Sequence, residues 1–484
     1  MKTKKFIFYT TLLVILFGIH CAGFSDGELQ FQIKERGELE KILASADLSI
    51  DNVNIYKIDE NITLLGVDDK GRVNFSLKNT KAIWKSRFRK AVILDNNNHV
   101  IGLFLKGRFS SIESLSSLPK LRWLYLEGDL TDLKSLNHLN ELEELGAPHN
   151  QLTVLEGLDL PKLKRLDLSN NKLNSIPAIS TFSALEHLDI NDNEIKDFSF
   201  FVKLSKLTYL DVSRNPLDDF HVPDTLKSLE VLEASGNTVR KIVFEKLNRI
   251  KIVSLVNQPI ANTVGLNSLK SIEELDLKGA VLEKIDISHL KNLTKLDISS
   301  PNLKSMRNIV GLNELENLKE LAIKNSNITK IENIENLVNL EYLYLNNNNI
   351  VVIESLAPLN KLKQLYIANN RLAKIQGLGH LKKLKLLDLS NNPIEVFEGV
   401  ESTMLDKVML SDTNISSIAG FSTFPMLGAV ILKNTHIRNL DGYEEYLKPR
   451  DSSLVFFLSG NGLKYKEQGP ILKQLLKYKT DLIL

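Results

Sequence analysis

The chain has 484 residues, of which 43% are apolar and 25% charged, a composition typical of a folded globular protein. Lysine and arginine total 61 against 59 aspartates and glutamates, which gives a formal charge of +2. A chain so close to neutral has no overall positive potential that would attract nucleic acid or an anionic membrane. The single cysteine, Cys21, excludes an internal disulfide, a thiolate zinc site and an iron–sulfur cluster.

The first element in chain order is an export signal. Met1–Lys5 carries three lysines, and Phe6–Ile19 is a run of fourteen residues without a charge. That run is shorter than the roughly 20 residues of a membrane-spanning helix and has the length of a signal-peptide core. Residues 1–23 are therefore predicted to be a signal peptide. The alternative is a buried N-terminal helix or strand.

Cys21 stands where a bacterial lipoprotein carries its lipidated N-terminal cysteine. The usual pattern places a branched apolar residue and a small residue before that cysteine, and here those positions hold Gly18 and His20. Cleavage after Gly23 or Ser25 fits the small-residue rule equally well. The sequence predicts an exported protein, at the cell surface or on the outer membrane as a lipoprotein, or secreted or periplasmic.

Residues 24–99 are predicted to form an N-terminal cap. A helix is expected at Glu35–Ala46, followed by strands at Val53–Ile58, Arg72–Leu77 and Ala82–Leu94. Within this segment, Lys81–Lys90 contains five cations and two aromatic residues. It is interpreted as an edge strand guarded against aggregation, with polyanion binding as the alternative.

A repeat occupies residues 100–463. The template L-x-x-L-x-L-x-x-N-x-L-x-x-I recurs at steps of mostly 21 or 22 residues. Its second apolar anchor falls at Leu103, Leu124, Leu145, Leu166, Leu188, Leu210, Leu232, Val253, Leu275, Leu296, Leu321, Leu343, Leu365, Leu387, Val408, Val430 and, weakly, Phe456. The two leucines of L-x-L point the same way from a short strand, into a core that only stacked neighbours can close.

The repeat resembles the leucine-rich repeat superfamily, specifically the short 22-residue class of the internalins and of the phosphatase-1 regulatory scaffold. The resemblance covers about Val100–Leu463. It implies an α/β repeat solenoid, a horseshoe of about 16–17 repeats with a parallel concave β-sheet and short 3₁₀ or extended pieces on the convex side. The asparagine of each repeat is expected to bond backbone groups of its turn and of the next repeat.

The asparagine ladder is interrupted in the middle of the array by Gln258, Ala280, Pro301 and Ser326. This indicates either a more flexible joint over residues 255–325 or harmless sequence drift. In the second case water and serine or threonine hydroxyls would make the hydrogen bonds of the missing asparagines. Residues 464–484 are predicted to form a C-terminal capping helix. It is expected to begin at Pro470 and to present Ile471, Leu472, Leu475 and Leu476 on one face.

No catalytic chemistry is predicted. The motifs G-x-x-x-x-G-K-[ST], H-E-x-x-H, G-x-S-x-G and C-x-x-C are absent, and the nine histidines are scattered over distant repeats. We therefore expect no catalytic residues, no cofactor and no metal site.

Ligand-binding residues are expected on the concave face, at the positions that flank each L-x-L pair. Two aromatic groups lie on neighbouring strands there, Phe104 with Trp123 and Tyr125, and Tyr342 with Tyr344 and Tyr366. Tryptophan and tyrosine are favoured anchors of binding patches. The alternative is that the N-terminal cap covers the first group and that tyrosine is generic for this repeat in the second.

Carboxylates form a column on the same face at Asp167, Asp189 and Asp211, extended by Glu233, Asp276 and Asp297. Stacked carboxylates repel one another, and a basic partner would relieve the repulsion. The alternative is that L-D-L-S is simply the common spelling of this repeat.

The predicted function is non-catalytic recognition of a protein partner on the concave face. Resemblance to internalins implies a host surface protein and an adhesin-like role. The alternatives are a periplasmic scaffold for the cell's own envelope proteins and, if the signal prediction is wrong, an intracellular scaffold. No nucleic acid is expected, membrane contact is expected only through a lipid anchor, and the oligomeric state is left open.

Overall fold

The computed structural model describes residues 36–46, 48, 53–57, 62–67, 73–77, 83–86, 91–197, 199–448, 453–463 and 465–483. The predicted signal peptide and Cys21 lie outside the described residues, as does much of Lys81–Lys90. The chain divides into two compact units. The first runs to Leu217 and includes Thr225–Glu233, and the second comprises Asp218–Asp224 and Ala234–Leu484. In the described parts of the chain, no helix is both long enough and apolar enough to cross a membrane.

The first unit is built on a sheet whose neighbouring strands pair in parallel, apart from one antiparallel pair formed by Ala91–Leu94 and Val100–Lys106. In chain order its strands are Asn54–Lys57, Ala91–Leu94, Val100–Lys106, Trp123–Glu127, Glu144–Gly146, Arg165–Asp167, His187–Asp189, Tyr209–Asp211 and Val231–Glu233. Each strand from Val100 onward belongs to one repeat.

The N-terminal part of this unit contains the expected helix, α1 (Arg36–Ser45), which buries Leu39, Ile42 and Leu43. A separate antiparallel sheet consists of Ile62–Val67, Val73–Leu77 and Ile83–Ser86. The strand Ile62–Val67 was not predicted. The run expected at Ala82–Leu94 is two strands in two different sheets, Ile83–Ser86 and Ala91–Leu94.

The second unit repeats the same plan. Its main sheet is parallel and consists of Ile252–Ser254, Glu274–Asp276, Lys295–Asp297, Glu320–Ala322, Tyr342–Tyr344, Gln364–Tyr366, Leu386–Asp388, Lys407–Met409, Ala429–Ile431, Leu454–Phe457 and Thr480–Ile483. Two smaller parallel sheets are formed by Asp219–Val222, Lys241–Phe244 and Asn262–Val264, and by Ile285–Asp286 with Ile309–Val310.

The C-terminal cap differs from the expectation in two respects. Helix α2 spans Tyr465–Lys477, so the predicted start at Pro470 is wrong and this proline lies inside the helix. Leu475 is fully buried, whereas Leu476 is 57% exposed, so the predicted apolar face is narrower. The chain then turns into Thr480–Ile483, an unpredicted strand that pairs with Leu454–Phe457.

The repeat anchors carry the core. All seventeen second anchors lie in strands, and none is more than 2% exposed. Short 3₁₀ helices connect the strands at Glu113–Ser117, Lys134–His138, Pro177–Thr181, Ser199–Lys203, Leu266–Ser268, Met306–Asn308, Leu312–Glu314 and Tyr443–Tyr446. Short parallel strands from a 21–22-residue period, with connectors this brief, confirm the predicted leucine-rich repeat solenoid.

The asparagine ladder binds the preceding repeat rather than the following one. Asn193 donates from Nδ2 to the carbonyls of Leu168 (3.0 Å) and Ile190 (3.1 Å), and its Oδ1 accepts from the backbone N–H of Leu173 at 2.9 Å. One buried amide therefore satisfies backbone groups of two repeats. Where Gln258 replaces asparagine, its Nε2 still donates to Ala234, but its buried Oε1 has no hydrogen-bond partner.

Candidate functional site

A cleft of about 540 Å³ lies on the outer face of the sheet in the first unit. The outer face is the surface formed by the residues that flank each inward-pointing anchor pair, since side chains alternate along a strand. Six consecutive repeats contribute to the cleft, from Phe104 on the strand Val100–Lys106 to Arg214, which follows the strand Tyr209–Asp211. The cleft thus lies on the face for which ligand binding was predicted.

One wall is aromatic. The rings of Phe104 and Tyr125 stack with centroids 6.5 Å apart and an interplanar angle of 23°. Phe104 is 3% and Trp123 is 5% exposed, so both are largely covered, and both line the cleft. Tyr125 is half-buried and leans across Gly146, where an added Cβ would overlap its ring. The glycine is what lets the ring lie over the neighbouring strand.

The opposite wall is a histidine–tyrosine pair. The rings of His187 and Tyr209 stack with centroids 4.1 Å apart and only 8° between their planes. Burial, and then the nearby charge of Arg165, lower the pKa of His187 to about 3, so the imidazole is neutral. Burial and the carboxylate of Asp211 raise the pKa of Tyr209. Both rings therefore act as uncharged surfaces.

Asp167, Asp189 and Asp211 form the floor. They are partners in register on adjacent parallel strands, which are about 4.8 Å apart. Each carboxylate accepts through Oδ1 from the backbone N–H two residues ahead, at 3.0, 3.0 and 2.8 Å. Among the described residues no lysine, arginine or histidine forms an ion pair with any of the three.

The floor resists ionisation. Burial, together with the charges of Asp167 and Asp211, raises the pKa of Asp189 to about 8. Burial also raises the pKa values of Asp167 and Asp211, and it raises that of Glu144 to about 7. Asp189 is therefore largely protonated near neutral pH, and a cation bound over the column would favour loss of that proton.

Two arginines border the cleft without neutralising the floor. Arg165 lies 3.8 Å from Glu144, and Arg214 donates to Asp192 at 2.6 Å.

Two cleft residues, Arg214 and His149, occupy the same turn position of their repeats, where the backbone angle φ is positive, 52° for each. In the other repeats with positive φ at this position the residue is asparagine, aspartate or glycine, which tolerate the left-handed conformation better. The two exceptions both line the cleft.

The second unit places the predicted tyrosines together. Tyr344 and Tyr366 stack with centroids 4.9 Å apart, and Tyr342 lies on the same strand as Tyr344. The ammonium of Lys324 lies 5.5 Å from the ring centroid of Tyr344 and 3.2 Å from Asp297. Because of this ion pair, Asp297 differs in character from the aspartates of the first unit. The surface continues at equivalent positions that were not predicted, namely Met409, Ile431 and Phe457.

Several cleft residues were not predicted either, namely Glu144, Gly146, Arg165, His187, Tyr209 and Arg214. All but Arg214 flank the anchors at the same two positions as the residues that were singled out, so an inspection of every outward position would have found them. No group of three or more His, Cys, Asp or Glu side chains in the described residues is placed to hold a metal ion.

Comparison with known proteins supports the fold. The leucine rich repeat family matches residues 316–372, and its two-copy form matches residues 140–181, 183–227 and 360–400. No curated protein is detectably similar in sequence.

Among solved structures, a leucine-rich repeat protein of Leptospira interrogans is 22% identical with a TM-score of 0.56, over 81% of this chain and 92% of that one. The plant peptide hormone receptor RGFR1, in complex with RGF2, is 18% identical with a TM-score of 0.55, over 77% of this chain and 64% of the receptor. An internalin of Listeria monocytogenes, InlF, gives 18% identity and a TM-score of 0.42, over 73% and 86%. At these identities the similarity is one of fold. The chain spans less than two thirds of the plant receptor.

Proposed function

We propose that this chain is an exported, non-catalytic module that recognises a protein partner through the outer face of its sheet. The observation that carries the proposal is the cleft, where aromatic and charged side chains from six consecutive repeats turn away from the core and enclose about 540 Å³. Leucine-rich repeat folds are generally protein-binding scaffolds, and the similar receptor RGFR1 was solved with RGF2 bound.

Preorganisation is the mechanism that the geometry supports. The cleft side chains stand on strands that are paired on both sides, and the anchors beneath them are fully buried. Little conformational entropy is lost when a rigid surface binds. The aromatic walls supply contact area, and the carboxyl groups of the floor and the arginines of the rim supply selectivity between partners.

Position-specific cross-linking tests this proposal. A photoreactive benzoylphenylalanine replaces Tyr209 in the cleft or, as the control, Val396, which is 59% exposed on a loop of the second unit. Illumination of the source organism's culture, with and without added host cells, followed by blotting of the chain, should give a discrete heavier adduct from position 209 in at least one of the two samples and none from position 396. Equal adducts from both positions, or none from position 209, would contradict recognition through the cleft.

Export and anchoring are part of the proposal and rest on Met1–Lys5, the uncharged run Phe6–Ile19 and Cys21. Protease treatment of intact cells should remove the chain while a periplasmic control survives, as an adhesin-like role for a host surface protein requires. Protection until the outer membrane is opened would favour the envelope scaffold instead. Incorporation of labelled palmitate that is lost in Cys21→Ser would establish lipidation, and absence of label would leave a freely secreted or periplasmic chain.

A further inference from the structure

We propose that the cleft of the first unit receives a basic side chain of the partner, a lysine or an arginine, whose charged group lies over Asp189 between Asp167 and Asp211. The inference rests on the proposed function, because it takes the occupant to be a segment of protein. It adds the chemistry of the side chain that the cleft selects.

The three aspartates present acceptors that the protein leaves unused. Each commits Oδ1 to its own turn: Asp167 accepts from the N–H and the hydroxyl of Ser169, and Asp189 from the N–H of Asn191. The hydrogen bonds that Asp167 and Asp189 accept within the described residues all go to Oδ1, and their Oδ2 atoms are not sealed from solvent. Because the strands are in register, these two open oxygens lie one strand spacing apart along the floor, beside the carboxylate of Asp211.

Trp123 independently indicates a ligand. It is only 5% exposed and lines the cleft, yet its indole N–H donates to no acceptor among the described residues and is not sealed from solvent. A tryptophan this deeply buried normally finds a partner for its N–H. The backbone carbonyl of an extended segment would supply that acceptor, whereas a free inorganic ion would leave the N–H unsatisfied.

The walls fit the rest of a basic side chain. Tyr125 lies in the same register column as Asp167, two strands away, and the stacked His187–Tyr209 pair lies beside the floor on the strands of Asp189 and Asp211. The apolar stem of a lysine packs well on aromatic faces, and an ammonium or guanidinium over a tyrosine ring gains a cation–π attraction. A metal ion is a poorer occupant, since no cluster of three or more His, Cys, Asp or Glu side chains in the described residues is placed to hold one.

The arginines of the cleft do not pair with the floor aspartates. Arg214 donates to Asp192, and Arg165 lies beside Glu144. The titratable and charged groups that face Asp189 from its own and the neighbouring repeats are Glu144, His149, Arg165, Asp167, His187, Asp192, Tyr209, Asp211, Arg214 and Glu233. A bound cation would ionise the floor, so binding should release protons, and affinity should rise as the pH rises from about 6 to about 8.

A selected peptide provides the test. A phage library of random peptides is panned at about pH 8 on the full chain, and the best binder is synthesised together with versions in which each lysine or arginine is replaced by glutamine. Affinity is measured by calorimetry for the wild type, for the triple variant Asp167→Asn, Asp189→Asn, Asp211→Asn, and for Asp159→Asn. The last variant changes an exposed aspartate of the same unit that does not line the cleft.

The expected result has three parts. One basic residue of the peptide is essential, the triple variant binds about tenfold or more weakly, and Asp159→Asn binds like the wild type. Protons are released on binding, as seen when the heat is compared in buffers of different ionisation enthalpy. Trp123→Phe removes the N–H and keeps an aromatic ring at this position, and it should weaken binding about three- to tenfold.

The failures can be told apart. Peptides that compete with one another for the cleft but bind the triple variant as tightly as the wild type, or that need no basic residue, would overturn this inference and leave the proposed function standing. If no peptide or protein engages the cleft at all, as judged also by cross-linking from position 209, the proposed function itself is overturned.

Discussion

Replacing Asp189 by asparagine should stabilise the first unit at alkaline pH and leave it nearly unchanged in acid. The folded-state pKa of Asp189 is about 8, against roughly 3.9 for an unperturbed aspartate. Between those values the folded chain holds a proton that the unfolded chain has lost, so the free energy of unfolding falls as the pH rises from about 4 to about 8. Asparagine removes this penalty and can still accept from Asn191.

The magnitude follows from the shift. Each unit of pKa corresponds to about 1.4 kcal/mol, so the cost of ionising Asp189 is at most about 6 kcal/mol. Part of the shift is repulsion from Asp167 and Asp211, whose own pKa values are also raised, so we expect a smaller net gain of about 2 kcal/mol at pH 8 for Asp189→Asn.

The assay is urea unfolding followed by the fluorescence of Trp123. Trp84, the other of the two tryptophans, is replaced by phenylalanine in every protein compared. Asp159→Asn, an exposed position in the same unit, controls for the loss of one negative charge. A variant no more stable than the wild type at pH 8, or a gain equally large at pH 4, would refute the assignment of a protonated, destabilising carboxyl to the floor.

Three further outcomes are expected. Gly146→Ala should cost about 1–3 kcal/mol and change the near-ultraviolet circular dichroism, because the new Cβ displaces Tyr125, whereas Gly37→Ala, with open space around it, should be neutral or stabilising. Asn193→Ala should lower the free energy of unfolding by about 2–4 kcal/mol, since it unpairs backbone groups in two repeats; a loss below ~0.5 kcal/mol would count against the ladder. His149→Asn should add about 0.5–1 kcal/mol by relieving a left-handed histidine, and destabilisation in the same urea assay would contradict that reasoning.

The sequence predicted the strands of the repeat well, because the period of the apolar anchors leaves one arrangement that buries them. Leu166, Leu188 and Leu210 recur at fixed spacing, and a three-residue strand that buries one such leucine must place its flanking residues outside. It predicted the caps less well. Pro470 predicts a helix start, since proline is favoured there, but α2 begins at Tyr465 and contains the proline.

The same distinction applies to the candidate site, part of which the sequence determined and part of which it did not. That Asp167, Asp189 and Asp211 form a column is a consequence of register, and so the sequence determined it by itself, as it determined the leucine-rich repeat solenoid. The sequence did not determine that Phe104 and Trp123 are buried, that Tyr125 lies across Gly146, or that His187 and Tyr209 stack opposite. Those features depend on how side chains of unequal size settle against residues one or two repeats away. Only the tertiary structure decided which outward positions enclose a cleft, because periodicity fixes the direction of each side chain, and the space between side chains is set by their packing.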